Sequence, residues 1–492
     1  MRSRKNIAVL NSIAISFLAA GCMVGPKYQR TSASVPAKWD VAEPWREGTP
    51  KDGVPKGEWW SVFHDEELDA LEKQTLDANQ TIKIAAARLE QARASAAVQI
   101  ATQFPTLAAA PQAERQRLSG NRPAGGLFPV TSAITQNSYT LPFTAGYEAD
   151  LFGRRRRSIE AAQAAYQASA ADLENVRLVV TSELAGDYFT VRQLDAELGI
   201  LNRTVETLQK GLQLVDSRHK GGVASGLDVA QEETLLNTTR TQAILLQQQR
   251  KQFEDAIAVL LGKPAPDFHL APKELNAEPP MLEPGLPSDL LERRPDIAEA
   301  ERQMAAANAQ IGIARAAYFP SLNLFANGGW QAADIAKLLN VQSTLWAVGA
   351  NVAEAILTGG SRRAQTQFAK AGYDASVASY RNTVLSAFGE VQDDVTGLMV
   401  LDQAFHSQEQ AVDAARRTLN ISTDRYTGGL VNYLDVVTAQ QTLLNNEQQL
   451  AAIRGQRLVT SVLLIKALGG GWDASSLSAV HFKTKLKDVV AP

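Results

Sequence analysis

Few side chains in this chain could do covalent or metal chemistry, and they are scattered. Cys22 is the single cysteine among 492 residues, so a disulfide within one chain is excluded and the thiol is left as a nucleophile. The five histidines, His64, His219, His269, His406 and His481, show no metal-ligand spacing. The glycine pairs Gly221-Gly222 and Gly428-Gly429 lack the Lys-Ser/Thr that follows a phosphate-binding turn. No catalytic constellation remains. The expectation is a protein that is not an enzyme, holds no metal and uses no cofactor beyond what Cys22 carries. With a net charge of −3, nothing globally basic points to nucleic acid.

What Cys22 can do depends on what precedes it. Arg2, Arg4 and Lys5 form a positive start, and Ile7 to Ala20 is an apolar run too short to span a bilayer. Leu18-Ala19-Ala20-Gly21-Cys22 resembles a bacterial lipobox, where small residues admit the peptidase and the thiol takes a diacylglycerol. Residues 1–21 therefore read as a lipoprotein signal peptide and Cys22 as the lipidation site. Each buried acyl methylene contributes about 0.8 kcal/mol, enough together to hold the N-terminus in a leaflet. Met23 in place of an aspartate favours outer-membrane lipid over the inner membrane. Beyond the signal, no segment approaches the roughly 18 uninterrupted apolar residues of a spanning helix.

The remaining chain is a tandem duplication. Arg425-Tyr426-Thr427-Gly428-Gly429-Leu430-Val431-Asn432-Tyr433-Leu434-Asp435-Val436 matches Arg218-His219-Lys220-Gly221-Gly222-Val223-Ala224-Ser225-Gly226-Leu227-Asp228-Val229, and Gly221 to Gly428, Asp228 to Asp435 and Leu261 to Leu468 all differ by 207. Each glycine pair separates two apolar-periodic segments, so the chain reverses at residues 218–228 and 425–435. The organisation follows. An extended arm at 22–58 is pinned by Trp39, Trp45 and the pair Trp59-Trp60. A first repeat spans 59–262, a proline-rich linker 263–288, a second repeat 289–469 and a polar tail 470–492.

Within each repeat the hydrophobic period changes twice. Leu68, Leu71, Ile82, Ala85, Leu89 and Ala92 predict one helix over 65–103, ended by Phe104-Pro105. Tyr139, Leu141, Phe143, Ala145 and Tyr147 then alternate as a strand with one apolar face, paired with a weaker strand at 107–117 across the loop 119–129. The second copy repeats this with Leu322, Leu324 and Ala326, a loop at 331–342, and a return over 345–352. Each copy thus carries one β-hairpin, 106–150 and 321–353. From there single helices of roughly 65 residues, on the order of 100 Å, run to the glycine turns. Arg154 to Arg157, where the first long helix begins, are either a pore-lining positive ring or a solvated, headgroup-facing collar. Trp330 and Trp346 bracket the second loop as an interfacial belt or as buried packing.

Four strands with an apolar face cannot close alone, since the smallest membrane barrels need about eight. Copies of the chain must supply the rest, and three give twelve. The alternative is that the hairpins pack on the helices in a soluble body, a non-channel scaffold lipoprotein.

At this point the sequence resembles the TolC-like outer membrane factors, specifically the lipoprotein branch called NodT-type. The resemblance rests on Cys22 with Gly25-Pro26 and Tyr28; Trp59-Trp60 with Phe63, Asp65, Leu68 and Leu71; Tyr147 to Arg154; Leu291 to Ile297; Ala316 to Pro320; and both glycine turns. It implies a mainly α fold with a membrane β part: a homotrimer with a twelve-stranded outer-membrane β-barrel and a coiled-helix α-barrel through the periplasm. Such proteins are passive exit ducts that dock on a periplasmic adaptor and an inner-membrane efflux pump. Small-molecule efflux is the expected task, with type I protein secretion as the other duct reading.

The resemblance also assigns the turns. Gly221, Gly222 and Val223 with Gly428, Gly429 and Leu430 become the periplasmic tips that meet the adaptor. Tyr426 and Asp228 fall where relatives bond a tyrosine to an aspartate, and Asp435 matches one aspartate of a constriction ring. A second ring aspartate falls at Thr438 and a locking arginine at Val431. Tyr433 and Leu434 are therefore expected to close the pore sterically. From the residues alone, Asp228 and Asp435 also fit helix capping.

Overall fold

The computed structural model describes residues 23–33, 35, 58–121, 132–280 and 290–472. The signal segment and Cys22, Trp39, Trp45, the centre of the first hairpin loop, residues 281–289 and the tail from 473 lie outside the described residues. Helix α1 (Glu66–Ala78) starts on Asp65, whose carboxylate accepts from the N–H groups of Glu67 and Leu68 at 3.0 and 3.3 Å. The single helix expected over 65–103 is two helices. Asn79 turns extended (φ −60°, ψ 130°), and its side-chain oxygen accepts from Thr81 and Ile82 to start α2 (Gln80–Ala101). Its amide donates to the Leu260 carbonyl at 2.9 Å. One buried side chain caps a helix and ties it to a distant one, and this outweighs continuous helix propensity.

The strand expected at 107–117 is also broken. Strands β1 (Thr106–Ala109) and β2 (Gln112–Leu118) both pair antiparallel with β3 (Ile134–Ala149), and Pro111, which has no N–H to give the ladder, lies in the gap. Strand β4 (Ser321–Ala332) pairs with β3 on one side and with β5 (Thr344–Ala353) on the other. The two hairpins thereby form one sheet, ordered β1/β2, β3, β4, β5. Register sets its faces: Leu141 opposes Trp330, Phe143 Gly328, Ala145 Ala326 and Tyr147 Leu324, while Gly328 opposes Trp346, Ala326 Val348 and Leu322 Val352. All of these share one side, an apolar face continuous across three strands. The opposite side carries Thr140, Thr144, Glu148, Asn323, Asn327, Gln331 and Asn351. Among the described residues β1/β2 and β5 each pair on one side only.

The helical part is built from α3 (Arg154–Lys220), α4 (Gly226–Leu260), α5 (Pro295–Ala316), α6 (Ser361–Thr427) and α7 (Tyr433–Ala467). Helices α3 and α6 have 67 residues each, α4 and α7 have 35 each, and the corresponding starts differ by 207. The duplication therefore holds in length as well as in sequence. No helix among the described residues is long and apolar enough to cross a membrane, which says nothing about the sheet.

Midway along the bundle sits the main core, where Trp59, Trp60, Phe63, Leu184, Tyr188, Phe189, Ile297, Tyr380, Val391 and Val462 meet. The linker is part of it. Phe268, Leu270 and Leu275 are buried, and Arg192 and Arg250 donate to the carbonyls of Ala271 and Leu270 at 2.7 and 2.6 Å. Asp195 lies between the two guanidiniums, 2.9 and 2.6 Å away. Residues 263–280 are thus a strap pinned by charge-assisted bonds, not a free tether.

Candidate functional site

Two places on this frame concentrate the residues singled out by sequence: the helical tips and the junction between sheet and helices. At the first tip α3 closes with a bond from Val223 N–H to the Arg218 carbonyl, at the second α6 closes with Leu430 N–H to Arg425, at 2.8 and 2.9 Å. The second glycine of each pair takes the left-handed conformation, Gly222 at φ 78° and Gly429 at φ 73°. Gly221, Gly222, Gly428 and Gly429 are exposed at the ends. Val223 and Leu430 project there at 71% and 73% exposure, a pair of apolar knobs on the surfaces expected to meet an adaptor.

The gate residues divide differently from expectation. Asp228 forms a reciprocal capping box: its carboxylate accepts from Ser225 N–H at 3.0 Å while its own N–H donates to Ser225 Oγ at 3.2 Å. The bond from Tyr426 to Asp228 is not formed among the described contacts. Tyr426 instead lies under the Arg218 guanidinium, 4.9 Å from its ring centre, and 4.9 Å from the Tyr433 ring. Burial raises the Tyr426 hydroxyl pKa, and the nearby Asp228 charge adds to it. Tyr433 is 4% exposed. It packs with Tyr426, Val215 and Val436 inside the tip, so it does not stand at the surface beside Leu434. Leu434 and Asp435 are exposed on the first turn of α7, and Asn432 before them makes no side-chain cap.

One residue here was not read from sequence. Glu232 on α4 is fully buried behind Tyr433, where burial pushes its carboxyl up to about 7 and the Tyr433 hydroxyl offsets this in part. The only local trace is Gly211 in the last three turns of α3, facing that carboxylate.

At the junction the four arginines are engaged rather than free. Arg154 binds both oxygens of Glu148 at 2.6 Å, and Arg155 reaches the same carboxylate at 3.2 Å. Asp150 accepts from the N–H groups of Arg155 and Arg156 and pairs with the Arg156 guanidinium at 3.2 Å. Arg157 is 1% exposed and turns inward, pairing with Glu160 at 2.7 Å and donating to the carbonyls of Gly25 and Pro26 at 3.3 and 2.8 Å. Val24 N–H donates to the Phe152 carbonyl at 3.2 Å. The segment just after Cys22 is therefore held at the sheet–helix junction. The arginines lock the end of β3 to the start of α3, which replaces the pore-ring reading. On the sheet, Trp346 is 80% exposed on the apolar face, and Trp330, on the same face, lies edge-on to Phe143 at 6.4 Å. No group of three His, Cys, Asp or Glu among the described residues could hold a metal ion.

Comparison with known proteins decides the family. The profile of the outer membrane efflux proteins matches residues 71–263 and 286–470. The chain belongs to the outer membrane efflux protein family. The two matched stretches fall on the two copies of the duplication. Among curated relatives, the probable efflux pump outer membrane protein TtgC of Pseudomonas putida KT2440 is 33% identical over 467 residues, covering 94% of this chain and 96% of the relative. The pyoverdine export outer membrane protein OpmQ of Pseudomonas aeruginosa is 32% identical over 476 residues, covering 96% and 98%. The solved outer-membrane channel OprN superposes with a TM-score of 0.84 at 27% identity, over 92% of this chain and all of that one. This efflux protein is accordingly an outer-membrane component of an efflux system, with its paired apolar and polar sheet faces in the part that meets lipid.

Proposed function

We propose that three copies of this chain close their sheets into a twelve-stranded barrel and their helices into a periplasmic tube. The assembly is a passive exit duct, with no catalytic step, that carries small organic molecules from an inner-membrane pump and a periplasmic adaptor to the exterior. One observation carries the reading: a sheet apolar on one face, polar on the other and, among the described residues, unpaired at both edges. A lone copy would place Trp346, Val348 and Val352 in water and leave two rows of backbone donors and acceptors unmatched. Three chains of four strand positions each remove both problems and enclose a polar lumen. Exposed apolar residues along the long helices, Leu385, Val400 and Ile421 among them, fit the same sharing.

The cargo class follows the relatives, whose names include antibiotic efflux, toluene efflux and pyoverdine export. The exposed knobs Val223 and Leu430 suit an adaptor, and lipid on Cys22 suits the docking of residues 24–26 at the junction. Purified protein in planar bilayers tests the duct: discrete single-channel steps are expected, and a bilayer that stays silent at every voltage contradicts it.

A further inference from the structure

Glu232 occupies a built position that gating by the exposed tip residues does not use. It is fully buried, and among the described residues no group makes a well-formed hydrogen bond to its carboxylate oxygens, the Tyr433 hydroxyl being the polar group close enough to interact with them. Three helices enclose it. On α3, Gly211 leaves the space it fills, since a Cβ there would stand 2.4 Å from Glu232 Oε1. The same point is 3.5 Å from the Tyr433 hydroxyl at the start of α7. Glu232 itself comes from α4, one turn beyond the capping Asp228.

Other charged and titratable groups near the tip have contacts of their own: His219 Nδ1 lies 2.9 Å from the Ala224 carbonyl oxygen and Lys220 pairs with Asp216 at 2.6 Å. Asp228 is bonded to Ser225, Arg218 is stacked on Tyr426 of α6, and Asp435 lies on the exposed side of α7. Among the described residues, Tyr433 is the one polar group set against the Glu232 carboxyl. A neutral carboxyl group tolerates such a site with a hydroxyl as neighbour, whereas a carboxylate without a cation or water does not.

We propose that Glu232 is a positioning residue for the exit gate: protonated, it holds the tip of α7 through Tyr433 against the α3–α4 pair, and ionised, it drives that tip away. The proposal rests on the duct reading for its consequence, because Leu434 and Asp435 follow Tyr433 directly and move with it. The direction is fixed by proton linkage. With Tyr433 seated against it, Glu232 has the higher pKa, about 7, against an ordinary 4.5 when hydrated. Closure is therefore fully favoured below the ordinary value and lost as pH rises through about 7. With those two values the open-to-closed ratio rises roughly fiftyfold between pH 5 and pH 7.5.

The test compares the wild-type protein with Glu232→Gln, which keeps the shape and stays neutral. Open probability in planar bilayers is expected to climb with pH in the wild type and to stay low and flat in the variant. Amide hydrogen exchange over 433–440, corrected for intrinsic pH dependence, is expected to follow the same pattern and needs no conductance. An equal pH response in both proteins, or none in the wild type, overturns the proposal. A protein that never conducts removes the duct reading, while the exchange comparison still decides the role of Glu232.

Discussion

The two tips are copies of one another, yet they hold their returning helices by different means. At the first, Ser225 and Asp228 satisfy the start of α4 with bonds that span three residues. At the second, Asn432 gives α7 no side-chain cap, and the helix start depends on Tyr433 packing against Tyr426, Val215 and Val436, with Glu232 behind it. A locally capped end stays formed whatever its neighbours do. An end that depends on tertiary contact forms and loosens with that contact. Duplication thus left one fixed turn and one conditional turn, and the conditional one carries the exposed Leu434 and Asp435.

Substitutions can break or sharpen this contrast. Tyr433→Ala should have the largest effect, lowering the local stability of the α7 tip by about 3 kcal/mol, because a large buried side chain is removed from a small cluster. Hydrogen exchange should show the loss over 426–440 and little change over 218–235; equal loss at both tips would end the distinction. Gly222→Ala and Gly429→Ala should each cost about 1–2 kcal/mol and by similar amounts, since both positions are left-handed and a Cβ at either meets nothing within 4 Å. Unequal values in thermal unfolding would point to contacts not seen at one of the turns. Ser225→Ala should cost about 1 kcal/mol at the first tip. Asn432→Ala should cost only a few tenths, because its side chain caps nothing. Finally, Asp435→Ala should leave stability nearly unchanged and raise single-channel conductance, since like carboxylates facing one axis repel each other and bind cations. An unchanged conductance would remove Asp435 from the constriction.

Much of this architecture was legible in the sequence because it is carried by local, periodic signals. The glycine turns, the hairpins, the 67-residue helices and the constant offset all follow from spacing along the chain. Local pattern fails where one side chain answers to a distant partner. Asn79 sits in a helical pattern but is drawn out of it by the Leu260 carbonyl. Arg154 to Arg157 read as a free charge run until Glu148, Asp150, Glu160 and the carbonyls of Gly25 and Pro26 come to meet them. Tyr433 looks like a surface residue at a helix start, and only the packing of α3 and α4 behind it turns the ring inward. Glu232 had no signal of its own on an amphipathic helix. A glycine at 211, a poor helix former inside the last three turns of a long helix, was the one available hint.

The central claim is that the sheet is completed by two further copies around one axis, and disulfide crosslinking between its edges tests this most directly. With Cys22 the single native cysteine and expected to be acylated, cysteines introduced on β1 at Leu107 and on β5 at Val348 or Val352 report only edge-to-edge contact. Oxidation in membranes should give a ladder that ends at three linked chains. A single uncrosslinked chain at every pair, or a ladder that continues past three, would contradict the account.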